Sequence, residues 1–330
     1  MAVTIKDVAK KAGVNASTVS RVLKDSPEIS EKTKVKVRKA MQDLGYTRNV
    51  AAQILASGKS NTIGVVFPPV EDKSNQPFYM KVLTAINETA RKYDVSIAVV
   101  TGYQESELKQ QVELMYSEKR VDGFIVLYAG QSDSVRDYLF DNKIPFVLLG
   151  TPTEKQNEIT HVDNDNVLMG HEATRYLMDL GHSEISFVTD TKDGEVFEER
   201  YQGYQDEMSK KKRQAKLHVF DENMSLQTET GLVVMDEVLA LKVIARLAEH
   251  GLKVPDDISV ITYNNSAFST LVHPYLTTFD INIVRLGAAT VEKFLALTHQ
   301  KEEFHDKTII PFELILREST ASKGEMERKQ

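Results

Sequence analysis

Basic side chains are concentrated near the N-terminus of this 330-residue sequence, and binding phosphate groups is the chemistry that they support. Residues 1–60 contain 12 Lys or Arg against five Asp or Glu, a net charge of +7, whereas the remaining 29 bases and 43 acids give −14. A basic segment joined to an acidic body is typical of a protein that offers one end to a polyanion such as DNA. Chance clustering on a solvated surface explains the same count, so charge alone leaves both interpretations open.

Residue types that commonly perform catalysis or hold metal ions show no recognisable arrangement. The absence of cysteine excludes disulfides and thiolate catalysis, and no two histidines stand at a spacing typical of metal ligands. The sequence has no nucleophile elbow, phosphate-binding loop, HExxH or GxGxxG motif. Asp163 and Asp165 are candidates for the paired carboxylates of a glycosidase, although helix capping explains them more simply. The sequence therefore predicts a protein that is not an enzyme and needs no metal or cofactor.

Two short helices separated by a glycine are predicted at the N-terminus. Apolar residues recur at helical spacing over residues 5–12 and again over residues 16–23. Thr4 and Asn15 are placed to cap these helices, and Gly13 ends the first because glycine turns there without a Cβ penalty.

The packing expected between these two helices is typical of a helix-turn-helix. The small side chain of Ala9 lets the helices approach closely, and Val19 and Val22 are placed to pack beneath them. In a helix-turn-helix the second helix enters the major groove of DNA. Two helices joined through a glycine are common, whereas this complete spacing inside a basic segment is rare.

A third helix is predicted over residues 31–44, with Ser30 as its N-cap and Gly45 at its end. Four apolar residues are expected to face inward: Val35, Val37, Met41 and Leu44. Its lysines are expected to face outward, where they are either solvated or in contact with phosphate.

From residue 62 onward, short apolar runs alternate with amphipathic helical stretches. The predicted strands are 63–67, 96–100, 123–127, 145–149, 185–188, 217–220, 231–234 and 258–261. Continuous apolar strands between helices indicate parallel sheets covered on both faces, and two such series predict two doubly wound lobes. Ligands bind outside the carboxyl ends of such strands, so two facing lobes form a binding cleft.

Length and composition fit a small domain followed by a large one. The chain is 41% hydrophobic and 27% charged, which is ordinary for a soluble protein. No apolar run is long enough to cross a bilayer, and the first 11 residues lack the apolar stretch of a secretory signal. We therefore expect a cytoplasmic protein with no membrane partner.

Two segments carry a resemblance to a known family. The stretch TIKDVAKKAGVNASTVSRVL resembles the head of the lactose-repressor family of bacterial regulators, and GYTRNVAAQILASGKSNTIGVV resembles its hinge and entry into the sensor. The resemblance covers nearly the whole chain. It implies a small all-α helix-turn-helix head joined to an α/β two-lobed, periplasmic-binding-protein-like sensor. The implied ranges are 1–60 for the head with a hinge helix at about 50–57, 61–330 for the effector-binding and dimerisation domain, about 61–160 and 280–308 for lobe 1, and about 161–277 and 309–320 for lobe 2.

The same resemblance implies a set of DNA-binding residues: Thr4, Ala16, Ser17, Thr18, Ser20, Arg21, Asn49 and Leu55. Ala16 and Ser17 occupy the variable base-reading positions, and Ala16 contacts only a thymine methyl because it has no donor. Leu55 corresponds to the hinge leucine that opens a base step in the minor groove. The family usually has proline before the hinge asparagine, whereas this chain has Arg48, so the hinge is expected to start with looser geometry.

Six residues correspond to effector contacts of the family: Phe78, Tyr79, Asp163, Arg200, Met235 and Asn264. The alternatives from the residues alone are two core aromatics, a helix-capping aspartate, a surface ion pair of Arg200 with neighbouring glutamates, and a core methionine. Asn264 stands where many relatives have aspartate, and an uncharged amide fits a neutral ligand such as a sugar. Between Arg200 and Met235 the chain looks shorter than the family norm, and the helix expected there is not recognisable.

The effector implied by the resemblance is maltose or a maltodextrin. The segments NQPFY, KRVDGFIVLYA and HVDNDNV are similar to those of maltose-operon repressors of Gram-positive bacteria. A repressor of another sugar operon and a global catabolite regulator with a phosphoprotein co-effector remain alternatives. A periplasmic sugar-binding protein would share the two lobes but have no basic head. The expected partners are double-stranded operator DNA, the sugar and a second copy of the chain.

Overall fold

The computed structural model describes residues 3–23, 25–46, 58–69, 76–129, 133–221, 224, 226, 228–299, 306–324 and 326. The chain divides into two compact units, Met1–Ser60 and Asn61–Gln330. Each unit has its own apolar core and is described by itself.

The first unit is a cluster of three helices, α1 Ile5–Ala12, α2 Ala16–Leu23 and α3 Glu31–Leu44. Gly13 and Gly45 end α1 and α3 in the left-handed conformation, with φ of 60° and 62°. The buried core consists of Val8, Ala9, Ala12, Val19, Val22, Val37 and Ala40. The predicted contact of Ala9 with the two valines of α2 is therefore part of this core.

The prediction that Val35 faces inward is wrong. Val35 is 61% exposed, because it lies two residues, or about 200°, from the buried Val37 on a helix of 3.6 residues per turn. The inward position one turn before Val37 belongs to Lys34, which is 6% exposed. Its aliphatic stem is buried while its ammonium lies 3.1 Å from Asp25 and 2.9 Å from Glu31.

The second unit contains alternating helices and strands. Its helices are α4 Gln76–Lys92, α5 Glu105–Ser117, α6 Ser134–Asp141, α7 Asn166–Asp179, α8 Glu195–Lys210, α9 Glu237–Glu249 and α10 Ile283–His299, with a 3₁₀ turn at Ala267–Thr270. Its strands are β1 Thr62–Val66, β2 Ser96–Val100, β3 Gly123–Val126, β4 Phe146–Leu149, β5 His161–Asp163, β6 Ile185–Thr189, β7 Lys216–Val219, β8 Gly231–Val234, β9 Ser259–Tyr263, β10 Thr277–Asp280, β11 Lys307–Ile309 and β12 Glu313–Ile315.

The strands form two sheets, one in each lobe. The order in lobe 1 is β11-β5-β4-β3-β1-β2 and that in lobe 2 is β12-β10-β9-β8-β6-β7. All neighbours are parallel except β10 and β12. Consecutive residues such as Ile125 and Val126 enter different apolar clusters, so both faces of each sheet are covered. The predicted pair of doubly wound parallel lobes is confirmed.

The chain crosses between the lobes after β5, after β10 and after β11. These crossings differ by a few residues from the expected boundaries at about 160, 280 and 308. His161–Asp163 pairs with β4 in lobe 1, Asp280 ends a strand of lobe 2, and Ile309 ends a strand of lobe 1. Strands of three or four residues are too short to show a clear apolar pattern, which explains the difference.

One side-chain amide joins all three crossings. Asn164, which follows β5, is 4% exposed, and its Nδ2 donates to the carbonyl of Ile281 at 3.1 Å and to that of Ile310 at 2.8 Å. Ile281 follows β10 and Ile310 follows β11. The three strands that pass between the lobes are therefore tied at one point.

Replacing Asn164 by alanine should lower the stability of the second unit by at least about 1–3 kcal/mol, because two buried carbonyls lose their donor. Denaturant unfolding followed by circular dichroism measures this loss. The control is Asn142→Ala, which removes an exposed amide that donates to a single carbonyl, that of Tyr138. Equal stability of the two variants would contradict a special role for the point where Asn164 ties the three strands, which we call the joint.

Candidate DNA interface and effector site

Helix α2 buries one side and presents the other to solvent. Val19 and Val22 are buried, whereas Ser17 and Arg21 are exposed. Three other predicted DNA contacts, Ala16, Thr18 and Ser20, are partly exposed. The outward face of α2 is therefore polar and accessible, as a recognition helix requires.

Two of the predicted DNA contacts have partners within the head. The backbone N–H and the hydroxyl of Thr4 both donate to the Asp7 carboxylate, at 2.8 and 2.6 Å, and these bonds hold the pKa of Asp7 below its usual value. Arg21 lies 3.1 Å from Glu28 in an exposed ion pair. Exposed pairs of this kind contribute little stability, so a phosphate or base can replace Glu28 at low cost.

The hinge falls outside the described residues. Asn49, Leu55 and the departure at Arg48 all lie there, as does the predicted hinge helix at about 50–57. Their roles stay predictions from the sequence.

In the second unit, three of the six predicted effector contacts lie at the carboxyl ends of strands. Asp163 ends β5, Met235 follows β8 and Asn264 follows β9. Arg200 lies in the second turn of α8, which begins at Glu195. These positions border the cleft edge that doubly wound sheets use for ligands.

Arg200 is buried against lobe 2 and oriented by three contacts. It is 5% exposed, its Nε donates to Asn166 Oδ1 at 3.0 Å, and its Nη1 donates to the Met235 carbonyl at 3.0 Å. The guanidinium lies 4.1 Å from the centre of the Tyr263 ring, at cation–π distance. Within the described residues no carboxylate lies within ion-pair distance of Arg200, so the alternative of a surface ion pair is wrong.

Asp163 belongs to the same network. It accepts from the Thr151 hydroxyl at 2.9 Å and from Asn166 Nδ2 at 3.2 Å, and burial raises its pKa. Its role is not helix capping, because Asp165 caps α7 by accepting the N–H of Leu168 at 2.8 Å. Asn166 therefore links a buried carboxyl to a buried guanidinium.

The Asn264 side chain remains available. Its backbone is left-handed, with φ of 94°, and its N–H donates to the Phe279 carbonyl at 2.9 Å. Among the described residues its side-chain amide has no hydrogen-bond partner, and neither has Nη2 of Arg200. A planar donor and an amide that both accepts and donates are thus free at the same sheet edge, which suits hydroxyl groups.

The remaining predicted contacts are less closely joined to this network. Met235 contributes its carbonyl to Arg200, while its side chain packs partly buried against the core. Phe78 and Tyr79 are half-buried at the start of α4 in lobe 1, with their rings edge to face at 5.2 Å.

Sequence reasoning missed Asn166, Tyr263 and Thr151. Asn166 and Tyr263 are 34 and 63 residues from Arg200 along the chain, so no local spacing indicates the contact. The segment HVDNDN carries a partial signal, since its consecutive polar residues follow a strand, where sheets of this kind place ligand-binding groups.

Two glycines hold the helix of Arg200 against α7. A Cβ on Gly170 would lie 2.1 Å from the backbone oxygen of Arg200, and a Cβ on Gly203 would lie 2.0 Å from that of Val167. No larger residue fits without separating the helices. The close approach brings Arg200 within hydrogen-bond distance of Asn166, the first residue of α7.

Both units match known families. Residues 4–49 match the bacterial regulatory proteins of the lacI family, and residues 174–320 match a periplasmic binding protein-like domain. The HTH-type transcriptional regulator MalR of Staphylococcus xylosus is 34% identical over 97% of this chain and 98% of its own length. The chain belongs to the LacI family. As in its LacI-family relatives, it is a DNA-binding transcriptional repressor with a sugar effector, and it is not an enzyme.

Two further LacI-family proteins extend the comparison. Catabolite control protein A of Priestia megaterium is 28% identical over 97% of this chain and 100% of its own length. The crystal structure of a lac repressor dimer bound to operator and an anti-inducer has a TM-score of 0.80 at 25% identity, covering 97% of this chain and 100% of that one. The predicted family and fold are confirmed.

The described residues of this LacI-family chain contain no helix that is long and apolar enough to span a membrane. They also contain no group of three or more His, Asp or Glu side chains arranged to hold a metal ion.

Replacing Gly203 by alanine should lower the free energy of unfolding by about 1–3 kcal/mol, because the added Cβ forces α7 and α8 apart. The measurement is urea unfolding, with Gly324→Ala as control, since a Cβ there meets nothing within 4 Å. If Gly203→Ala were as stable as its control, the close packing behind Arg200 would not be required.

Proposed function

We propose that this chain is a cytoplasmic repressor of a maltose or maltodextrin operon, which releases its operator when the sugar closes the cleft. Two findings support the effector: the 34% identity to a regulator named MalR and the uncharged Asn264, which follows directly after Tyr263, the residue whose ring contacts Arg200. Sugar hydroxyls need both donors and acceptors, and the free edges of these two side chains offer both. The buried, oriented guanidinium of Arg200 is the observation that carries the proposal.

We place DNA recognition on the outward face of α2. Ser17 and Arg21 have the exposure and chemistry to contact base edges or phosphates, and Ala16 offers only a methyl contact. Leu55 is proposed to open a base step in the minor groove, as a paired hinge helix would. Sugar binding then changes the relation between the first lobes of two copies and misaligns the hinges. Coupling of about 1–3 kcal/mol is typical of such linkage.

The proposed assembly is a homodimer on a near-palindromic operator, with one head on each half-site. Leu271 and Val272 follow the 3₁₀ turn and are 65% and 52% exposed, which supports an apolar contact with a second copy.

The similarity to catabolite control protein A supports a second candidate, a regulator that responds to a phosphoprotein. The two candidates differ in one simple measurement. A maltose-operon repressor changes its operator affinity when sugar alone is added, whereas the second candidate requires the protein co-effector.

Replacing Arg200 by alanine should weaken maltose or maltotriose binding about tenfold or more, because a buried hydrogen-bond partner is typically worth about 1–3 kcal/mol. Operator affinity without sugar should be nearly unchanged, since α2 lies in the other unit. Isothermal titration calorimetry and operator titrations measure the two properties. Arg213→Ala is the matched control, because Arg213 is exposed and donates to the Ser183 carbonyl. Unchanged sugar affinity in Arg200→Ala would remove Arg200 from the site.

Replacing Leu55 by alanine should reduce affinity for the operator more than affinity for random DNA, because only the specific complex requires the unstacked base step. Fluorescence anisotropy with both DNAs provides the comparison. Leu114→Ala, at an exposed leucine of α5, should leave both affinities unchanged. Equal losses on the two DNAs would indicate that Leu55 only packs within the head.

A further inference from the structure

Three buried charged residues lie at the carboxyl edges of the two sheets, away from the crossings. Asp133 caps α6 after β3 in lobe 1, Arg136 lies in the first turn of α6, and Glu195 begins α8 after β6 in lobe 2. Their exposures are 2%, 5% and 6%. We call these three residues the interlobe cluster. They belong to different lobes. Burial raises the pKa of both carboxyl groups, and the charge of Arg136, which acts on both, opposes that rise.

Two acceptor oxygens of the interlobe cluster are buried without a donor. Asp133 Oδ1 accepts the N–H groups of Val135 and Arg136 at 2.9 and 3.3 Å, but Oδ2 has no partner among the described residues. Oε1 of Glu195 also has none there. Buried acceptors are nearly always satisfied in folded proteins, so these two oxygens indicate a place where a donor from another molecule binds.

The interlobe cluster is distinct from the Arg200 network but lies along the same helix. Glu195 precedes Arg200 by five residues, a displacement of about 7.5 Å along the axis of α8 and about 140° around it. A molecule that contacts both places is therefore longer than one that Arg200 holds alone. A disaccharide has that length, and its second ring carries hydroxyl donors.

The charge of the interlobe cluster favours a neutral ligand. Two carboxyl groups face one guanidinium, and Glu105, Glu198 and Glu199 add negative charge nearby. Burial raises the pKa of Glu195 to about 7, so near neutral pH this carboxyl exists in both protonation states. A sugar carrying a carboxylate or phosphate would be repelled there, whereas a hydroxyl can donate to either carboxyl group or accept from Arg136.

We propose that Asp133, Arg136 and Glu195 form a second sugar subsite, which binds the hydroxyls of the second ring of a neutral oligosaccharide. The subsite rests on the proposed function, since it extends the same cleft. It makes the repressor selective for chain length: Arg200 and Asn264 hold one ring, and the interlobe cluster recognises the next.

The test compares full-length wild type, Glu195→Ala and Gln202→Ala by calorimetry with glucose, maltose and maltotriose. Gln202 is exposed on the same helix, where its amide donates to Asp206, and it serves as the control. Glu195→Ala is expected to weaken maltose and maltotriose binding about tenfold or more and to change glucose binding less than about twofold, the loss typical of one buried hydrogen bond. Thermal unfolding of each variant checks that it is folded, and the isosteric Glu195→Gln replaces Glu195→Ala if it is not.

Maltose affinity measured as a function of pH distinguishes direct binding from a purely structural role of Glu195, because a structural role would not make the affinity depend on the ionisation of this carboxyl group. An ionised carboxylate accepts stronger hydrogen bonds from hydroxyls, so maltose affinity of the wild type should rise from about pH 6 to about pH 8. The rise should be smaller in Glu195→Gln, where Glu199, whose pKa burial also raises to about 7, still titrates in this range. Maltose affinity that is unchanged in both Glu195 variants overturns the subsite and leaves the effector proposal standing. Wild type that binds none of the three sugars overturns the effector proposal and the subsite with it.

Discussion

The joint at Asn164 is the constraint on which the rest of the second unit depends. Three strands pass between the lobes, and one buried amide donates to the carbonyls that follow two of them while standing directly after the third. Asp163 precedes Asn164 and Asn166 lies two residues after it, and these two residues connect the joint to Arg200. If the proposed ligand closes the cleft, the group that holds it is only two residues away from the point where the three strands are tied, so no long chain of contacts is needed to couple the two.

The buried charged side chains of the second unit need hydrogen-bond partners to compensate for their lost hydration. Some of these side chains are fully supplied with partners and others are not. Around Arg200 the Asn166 amide, the Met235 carbonyl and the Tyr263 ring compensate for most of the lost hydration. Asp163 is similarly supplied with donors. The Tyr263 hydroxyl, however, has no hydrogen-bond partner in the described part of the chain, and neither has one oxygen each of Asp133 and Glu195. Buried polar groups are normally satisfied, so in the proposed subsite a sugar hydroxyl supplies the donor that these two carboxyl groups lack.

Much of this fold is readable in the sequence, and the exceptions have physical causes. The strand at 231–234 and the helix at 31–44 were predicted to the residue, because continuous apolar runs and a cap followed by a terminal glycine are local signals. The orientation of Val35 was predicted wrongly because the prediction followed its apolar character. On a helix, a residue two positions from the buried Val37 faces nearly the opposite side. The strands at 161–163 and 307–309 are too short to show a recognisable apolar pattern in the sequence. The partners of Arg200 and the contact between Gly170 and Gly203 depend on which helices meet, and no single segment contains that information.

The left-handed backbone at Asn264 limits how this repressor can evolve. With φ of 94°, the position disfavours β-branched and bulky side chains, whereas glycine, asparagine and aspartate tolerate positive φ best. Few residue types are therefore compatible with this position, and the main electrostatic difference among them is between a neutral amide and a carboxylate. Under the proposed function, adaptation to a new effector shape proceeds more readily through positions on ordinary helical backbone such as Glu195, where the backbone conformation itself excludes no side chain except proline and only the packing around the position limits its size. The backbone conformation thus restricts substitution at Asn264 more strongly than at positions on ordinary helical backbone.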